Sequence, residues 1–104
     1  MKIAFTADVH LKTEDSSPER FNALCDVLDQ AVKEKISSVI IAGDLFDVES
    51  RNYAVFDNLC RDKKYLSLDF HIIPGNHDQA ISGKYFTSSN IRVYSEPELV
   101  FFEE

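Results

Sequence analysis

The stretch 38-SVIIAGDLFD-47 decides the fold class of this chain of 104 residues. It opens with the run 38–42, which is apolar after Ser38 and rich in β-branched residues, and Gly43 and Asp44 follow directly. A short, continuous apolar run is typical of a strand that is buried on both faces of a parallel sheet. The glycine and the acid predict a sharp turn at the carboxyl end of that strand.

Two similar segments flank this stretch along the chain. Residues 2–7 and residues 70–73 are strand-like runs, and each stops at a polar or turn-forming residue. Between the strands, apolar residues recur at helical spacing. They predict one helix that begins at Pro18 after a serine cap and a second helix over 52–65. The predicted order is β-α-β-α-β, which is an α/β fold.

The end of the sequence predicts more strand structure. Residues 91–94 and 99–102 are two further strand candidates, and Glu96-Pro97-Glu98 between them predicts a turn. No internal repeat, low-complexity tract or linker divides the chain. We therefore expect a single structural unit over residues 1–104.

Charge and hydropathy exclude several classes of protein. The formal net charge is −7, from 18 acidic and 11 basic residues, so a broad basic surface for nucleic acid is not expected. The apolar start of the chain is too short for a signal peptide, and no run approaches the roughly 18 apolar residues of a membrane span. These features predict a cytoplasmic protein without a membrane segment.

Three polar clusters stand at the ends of the three predicted strands. They occupy residues 8–10, 43–47 and 75–78, and they are separated by about one βαβ unit of roughly 30 residues. Right-handed crossovers bring the carboxyl ends of parallel strands to one edge, where ligands bind in open α/β sheets. The oxygen and imidazole donors in these clusters suit manganese, iron or zinc, and a carboxylate that bridges two such ions serves phosphoester cleavage.

The clusters resemble the first three signature blocks of the calcineurin-like metallophosphoesterases. The matching residues are Asp8-Val9-His10, Gly43-Asp44 and Gly75-Asn76-His77-Asp78. With their neighbours, Asp8-Val9-His10-Leu11, Gly43-Asp44-Leu45-Phe46-Asp47 and Ile73-Pro74-Gly75-Asn76-His77-Asp78, they are most similar to the DNA-repair exonucleases of the SbcD-like type. The resemblance runs from Met1 to about Asp78, and it implies one half of a two-sheet sandwich with helices on the outside.

The resemblance also implies roles for individual residues. Asp8 and His10 would bind the first of two divalent metals, Asp44 would bridge both, and Asn76 would bind the second. His77 would stand beside the scissile phosphate as a general acid. Manganese is the metal that the exonuclease branch implies, and iron and zinc stay open. The implied reaction is two-metal hydrolysis of DNA phosphodiesters in double-strand-break repair, alongside an ATPase partner subunit.

For several other residues near the blocks, the sequence allows two interpretations. Asp47 and Asp78 either orient a metal ligand or His77, or cap a helix. Arg51 either contacts substrate phosphate or begins a solvated helix. His71 lies within a predicted strand and is interpreted as structural. Tyr85 and Phe86 either stack on a ligand or belong to the core.

The family completes its site with three later histidines, whereas no histidine follows His77 in this sequence. We therefore expect residues 1–104 to be the N-terminal part of a nuclease domain, inactive or nearly so alone and prone to self-association through uncovered strand edges. Two alternatives remain open at this point. One is a phosphatase or phosphodiesterase for small phosphoesters, which suits the acidic charge, and the other is a non-catalytic truncated module.

Overall fold

A computed structural model describes residues 2–7, 9–11, 18–43, 45–46, 53–75, 86–94, 96 and 98–102. The elements follow in the order β1 (Ala4–Ala7), α1 (Pro18–Lys33), β2 (Ser38–Ala42), α2 (Tyr53–Arg61), β3 (Asp69–Ile73) and β4 (Ile91–Val93). This order confirms the predicted β-α-β-α-β arrangement and adds β4, which the sequence also predicted. None of the helices in these ranges is long and apolar enough to cross a membrane.

The strands form one parallel sheet in the order β1-β2-β3-β4. Val39 and Ile41 of β2 and Phe70 and Ile72 of β3 are fully buried on one face of this sheet. They belong to the same core cluster as residues of both helices, so α1 and α2 cover that face. The helical residues of the cluster are Leu24, Leu28, Ala31, Phe56, Leu59 and Cys60.

The opposite face of the sheet is only partly covered. The register places Phe5 beside Ile40 and Ile40 beside His71, and Phe5 is 67% exposed. Ile40 is half-buried, and Ile73 at the end of β3 is 47% exposed. The prediction that β2 is buried on both faces is therefore wrong within the described residues, because both helices lie on one side.

The end of the chain corrects another prediction. Residues 98–102 contain no strand, and Leu99 and Phe101 point into solvent with 79% and 83% of their surface exposed. The segment is instead held by side chains: Phe102 meets His71 edge to face, with ring centroids 5.1 Å apart, and Glu98 pairs with Arg92. An apolar run without a neighbouring strand to pair with gains no backbone hydrogen bonds as a strand.

The second helix ends earlier than predicted, at Arg61 instead of residue 65. The Asp62 carboxylate accepts a hydrogen bond from the amide of Lys64 at 3.0 Å, and the Asp62 carbonyl accepts one from Tyr65. A short acidic side chain that bonds nearby backbone amides competes with helical hydrogen bonds. The chain therefore turns at Asp62 and buries the ring of Tyr65 against the core.

Candidate metal centre

The carboxyl ends of three strands meet at one edge of the sheet. The register pairs Ala7 of β1 with Ala42 of β2, and Ala42 with Ile73 of β3. Neighbouring strands in a sheet are about 4.8 Å apart, so these three residues form a row. The three polar blocks of the sequence begin within three positions of this row, which confirms the predicted convergence of the strand ends.

The second and third strand ends approach closely just beyond the row. Gly43 has a φ of +80°, and its amide donates to the carbonyl of Ile73 at 2.7 Å. A Cβ atom on Gly43 would lie 3.6 Å from the Cα of Gly75. The left-handed backbone at Gly43 explains the glycine in this block, since other residues adopt this region at a cost.

The first and second strand ends stay together for several further residues. The amide of Leu11 donates to the carbonyl of Leu45 at 2.7 Å, and Leu11 forms a parallel bridge with Phe46. Leu11, Leu45 and Phe46 are almost completely buried. The chain thus leaves β1 and β2 along parallel paths that are anchored in the core. His10 lies on the first path, half-buried and with a left-handed φ of 49°.

Most of the predicted site residues lie outside the described part of the chain. Of the four proposed metal ligands, the structure describes His10. The other three each follow directly after a residue that the structure does describe. Within the described ranges, no group of three or more His, Cys, Asp or Glu side chains gathers around a point. The predicted residues outside these ranges are Asp8, Asp44, Asp47, Arg51, Asn76, His77, Asp78 and Tyr85.

The donor types available at this edge fit divalent metal ions. Asp8 directly follows Ala7, Asp44 directly follows Gly43, and Asn76 directly follows Gly75 in the sequence. Carboxylate and amide oxygens together with the imidazole of His10 suit manganese, iron or zinc. The close approach of Gly43 and Gly75 shows that the backbones directly before two of these donors come together at this edge of the sheet.

An aromatic cluster anchors the loops that follow the strands. It consists of Phe46, Tyr53, Phe56 and Phe86, with ring centroids between 5.0 and 6.4 Å apart. Phe46 and Tyr53 are the nearest described residues on either side of segment 47–52. Phe86, which the sequence left as either stacking or core, is a core residue with 9% of its surface exposed. Phe46, Tyr53 and Phe86, from which these loops begin or to which they return, are therefore packed in one cluster of rings.

Sequence reasoning missed one functional candidate, the buried acid Asp57. Its carboxylate accepts hydrogen bonds from the amides of Thr87 and Ser88, at 2.8 and 2.9 Å, and from the Thr87 hydroxyl at 2.5 Å. Arg61 lies 3.5 Å away on the next helical turn. Asp57 lies four positions after Tyr53 and three before Cys60, so its helical spacing on the apolar face was a usable signal.

Folding changes the acidity of Asp57. Burial raises the pKa of the carboxyl group, but hydrogen bonds from Thr87 and Ser88 and the nearby Arg61 lower it, and together they outweigh burial. The net result is a pKa below the ordinary value for an aspartate. Asp57 is therefore held as a carboxylate under neutral conditions.

Acid is expected to weaken the fold through Asp57. Because folding lowers its pKa, this carboxylate contributes stability that is fully present above its unfolded pKa of about 3.9. That stability is lost as the pH falls through the lower pKa that Asp57 has in the folded state. We expect the unfolding free energy of the wild-type chain to fall more steeply below about pH 4 than that of Asp57→Asn. Urea titrations at a series of pH values measure the difference, and parallel pH curves would contradict it.

Replacing Gly43 by alanine is expected to destabilise the chain by about 1–2 kcal/mol. The 3.6 Å contact with Gly75 leaves room for a methyl group, so the cost comes from the left-handed φ. Lys35, which lies two residues beyond the end of α1 and has a φ of 58°, is the matched control. Lys35→Gly relieves the same kind of strain and is expected to stabilise by about 0.5–1 kcal/mol. Urea unfolding measures both changes, and shifts of the same sign would contradict this account.

A groove of about 320 Å³ opens beside the carboxyl end of β1. The strand end and the part of α1 from Glu19 to Val27 form its walls, and Arg20 contributes a cation to its lining. The volume is at the lower end of the range for small-molecule sites. Its lining residues are Thr6, Ala7, Val9, Glu19, Arg20, Ala23, Leu24 and Val27.

Comparison with known proteins adds two findings. A family model described as "Metallophos: Calcineurin-like phosphoesterase" matches residues 1–103, which include all three strand-end blocks. The chain is also 33% identical, over 108 aligned positions, to the DNA double-strand break repair protein Mre11 of Saccharolobus solfataricus. The alignment covers 96% of this chain and 28% of that relative. The chain thus spans little more than a quarter of the relative's length.

Proposed function

This chain belongs to the calcineurin-like phosphoesterase family, and we propose that it is the N-terminal part of a metal-dependent DNA-repair exonuclease of the SbcD-like type. The meeting of three strand ends, each followed by a polar block, is the observation that carries this proposal. The similarity to Mre11, whose name describes DNA double-strand break repair, favours DNA as the substrate. The proposed reaction of this chain's parent enzyme is the hydrolysis of DNA phosphodiester bonds.

The proposed ligands are divided between two divalent ions. Asp8 and His10 would hold the first ion, Asn76 would hold the second, and the Asp44 carboxylate would be shared by both. Manganese is the proposed metal, and iron and zinc have the same donor preferences. When bound, such ions make a water molecule acidic enough to attack and neutralise charge on the phosphoryl oxygens.

His77 carries the proposed proton transfer. An imidazole beside the phosphate donates a hydrogen bond to a phosphoryl oxygen and then a proton to the departing oxygen. Arg51 is the proposed contact to a neighbouring phosphate, because a guanidinium pairs with phosphate through two parallel hydrogen bonds. Asp47 and Asp78 are proposed to orient the side chains that bind metal and substrate.

Four protein ligands are too few to hold two ions on their own. We therefore propose that the remaining imidazole ligands come from a second half of the domain beyond residues 1–104. The coverage of 28% of the Mre11 relative supports this division. It follows that residues 1–104 alone have little or no activity. Until the second half is present, the exposed face around Phe5 is free to associate with another copy.

The resemblance to DNA-repair exonucleases also carries a proposed cellular location and a proposed partner. The whole protein would act on DNA in the cytoplasm together with an ATPase partner subunit of the kind the family uses. The net charge of −7 on residues 1–104 means that contacts to DNA depend on bound metal ions, on single basic residues or on other parts of the complex.

A second candidate function is hydrolysis of small phosphoesters. The acidic charge disfavours a long polyanion, and the groove beside β1 is the size of a small substrate. A third candidate, from a different class, is a module without catalytic activity that serves as an interaction partner. Cleavage of DNA or of an aryl phosphodiester separates this candidate from the two enzymatic ones.

The test compares two substrates on the chain extended by the remainder of a phosphoesterase domain. We expect manganese-dependent release of nucleotides from single-stranded DNA, with slower cleavage of bis(4-nitrophenyl) phosphate. Faster cleavage of the aryl diester would favour the small-substrate function, and no cleavage of either would favour the non-catalytic module. His77→Gln should remove activity, whereas His71→Gln is the matched control because the His71 ring is hydrogen-bonded to the hydroxyl of Tyr94.

A further inference from the structure

An extended segment without a neighbouring strand follows β4. Residues 98–102, which we call the tail, make no backbone-to-backbone hydrogen bonds within the described part of the chain. Their side chains alternate, because Leu99 and Phe101 point into solvent while Val100 and Phe102 are half-buried. This alternation is the pattern of a β-strand that has one covered face. The tail thus has the side-chain arrangement of a strand and lacks a partner to pair with.

Side chains fix the tail against its own sheet. The ring of Phe102 meets that of His71 edge to face, with centroids 5.1 Å apart, and Glu98 forms an ion pair with Arg92. Both contacts come from even-numbered residues of the tail, so they lie on the side opposite to the two exposed residues. A segment that is already ordered loses less conformational entropy when it binds.

The first strand leaves the other end of the sheet unpaired. β1 is the outermost strand in the order β1-β2-β3-β4, and among the described strands it pairs with β2 alone. An edge strand of this kind presents amides and carbonyls that another chain can pair with. The described sheet therefore has an unpaired edge at β1 and an unpaired extended segment after β4.

The groove beside β1 lies along this unpaired edge. Thr6, Ala7 and Val9 form its wall on the strand side, Ala23 and Val27 contribute apolar surface from α1, and no residue of β2 lines it. Extended peptides add to sheet edges in such places, where the backbone hydrogen bonds provide affinity and a neighbouring pocket takes alternate side chains. The groove and the edge together therefore fit an extended apolar segment.

The charges also favour the tail as the occupant of this groove. Residues 96–104 contain four acids and no base. Arg20 brings a cation to the groove and has no ion pair within the described ranges, whereas Glu19 in the same lining already interacts with another residue. Glu98 precedes the apolar run and Glu103 follows it in the sequence, so a strand added in either direction brings a carboxylate toward Arg20.

We propose that the tail of one copy of this chain adds as a further strand to the free edge of β1 in a second copy. Leu99 and Phe101 share one side of the tail, so both would face α1 and the groove of that second copy. The tail and the edge of β1 are different surfaces, so the contact is heterologous and each copy can bind a neighbour at both ends. The proposal concerns the described sheet alone and does not depend on the metal centre.

The small size of this contact makes the association weak. An aromatic side chain buries about 150–250 Å², so Leu99 and Phe101 together account for on the order of 300 Å². Stable interfaces bury about 800 Å² on each partner. We therefore expect monomers in dilute solution and a rising average mass at chain concentrations of roughly 100 μM and above.

Sedimentation velocity on residues 1–104 tests the contact with two variants that each block one surface. Phe101→Lys replaces an exposed apolar residue of the tail by a charged one, and Ala23→Arg fills the groove from an exposed position on α1. Neither position belongs to the core cluster, so we expect both variants to keep the circular dichroism spectrum of the wild type. EDTA in every sample excludes bridging by metal ions.

Each variant alone is expected to stay monomeric at concentrations where the wild type assembles. An equimolar mixture of the two should form a dimer and nothing larger, because Phe101→Lys retains an open groove and Ala23→Arg retains an intact tail. Leu66→Lys is the matched control, since it introduces the same charge at another exposed apolar residue, and it should assemble as the wild type does.

Several results would overturn the proposal. If the wild type remained monomeric at roughly 1 mM, the contact would be absent. If Ala23→Arg alone still assembled, the tail would pair with another tail or with the exposed face around Phe5 instead of with the groove. If Phe101→Lys alone still assembled, or if the two variants did not associate when mixed, the tail would not be the segment bound at β1. Loss of assembly in Leu66→Lys would indicate a general effect of charge instead of a defined contact.

Discussion

Phe56→Ala is expected to destabilise the chain by about 3–5 kcal/mol, the largest effect on stability of any substitution considered. Phe56 is fully buried, and its ring meets Phe46, Phe70 and Phe86 edge to face at 5.6–6.2 Å between centroids. Truncation leaves a cavity among rings that cannot collapse without moving β3 or the loop ends. Small domains have total stabilities of about 5 kcal/mol or somewhat more, so most of the margin would be lost.

The midpoint of urea unfolding, followed by circular dichroism, measures this loss. Phe101→Ala is the matched control, because it removes the same side chain from a position that is 83% exposed. We expect its unfolding free energy to stay within about 0.5 kcal/mol of the wild type. If both variants lost similar stability, the aromatic cluster would not be the centre of the core, and the anchoring of the loops would need another explanation.

Asp44→Ala is expected to have the largest effect on metal binding. In the proposed site Asp44 is the ligand common to both ions, and loss of a residue that merely orients a ligand already lowers affinity about 10–100-fold. Loss of the shared ligand should therefore lower the manganese affinity by more than about 100-fold, which abolishes detectable binding in a weak site. Isothermal titration calorimetry on residues 1–104 measures the change.

The control for Asp44→Ala is Asp69→Ala. Asp69 is an exposed acid at the amino end of β3, so its replacement makes the same change in net charge at the opposite edge of the sheet. We expect Asp69→Ala to bind manganese as the wild type does. Weakening of similar size in both variants would point to general attraction of cations by an acidic chain, and not to a site at the carboxyl edge.

The sequence predicted the sheet well because its strands carry strong local signals. The run at β2 was assigned with the bounds that the structure has, since it combines β-branched residues with a glycine stop. The strand at 91–94 also corresponds to β4. Two predictions were wrong: the end of α2, which was placed at residue 65, and the strand over 99–102. Both segments depend on side-chain contacts, those of Asp62 and of Phe102 respectively.

The candidate site was predictable as a location but not as a set of contacts. Parallel strands with polar blocks at their carboxyl ends predict where the blocks meet, and the row through Ala7, Ala42 and Ile73 confirms that the strand ends themselves lie side by side. The network around Asp57 was missed, because its partners Thr87 and Ser88 lie 30 and 31 positions away along the chain. The helical spacing of Asp57 places it on the apolar face of α2, but its pairing with Thr87 and Ser88 depends on tertiary packing.

Nuclear magnetic resonance with added manganese tests most directly whether a metal site forms at the carboxyl edge of the sheet. A bound paramagnetic ion broadens the amide signals close to it. At substoichiometric manganese we predict that the signals of His10, Gly43 and Gly75 are lost first in the wild type and return in Asp44→Ala, while those of Ser38 and Asp69, about 16 Å along the strands, are broadened much less. Uniform weak broadening, or broadening centred on Ser38 and Asp69, would contradict the proposed metal centre.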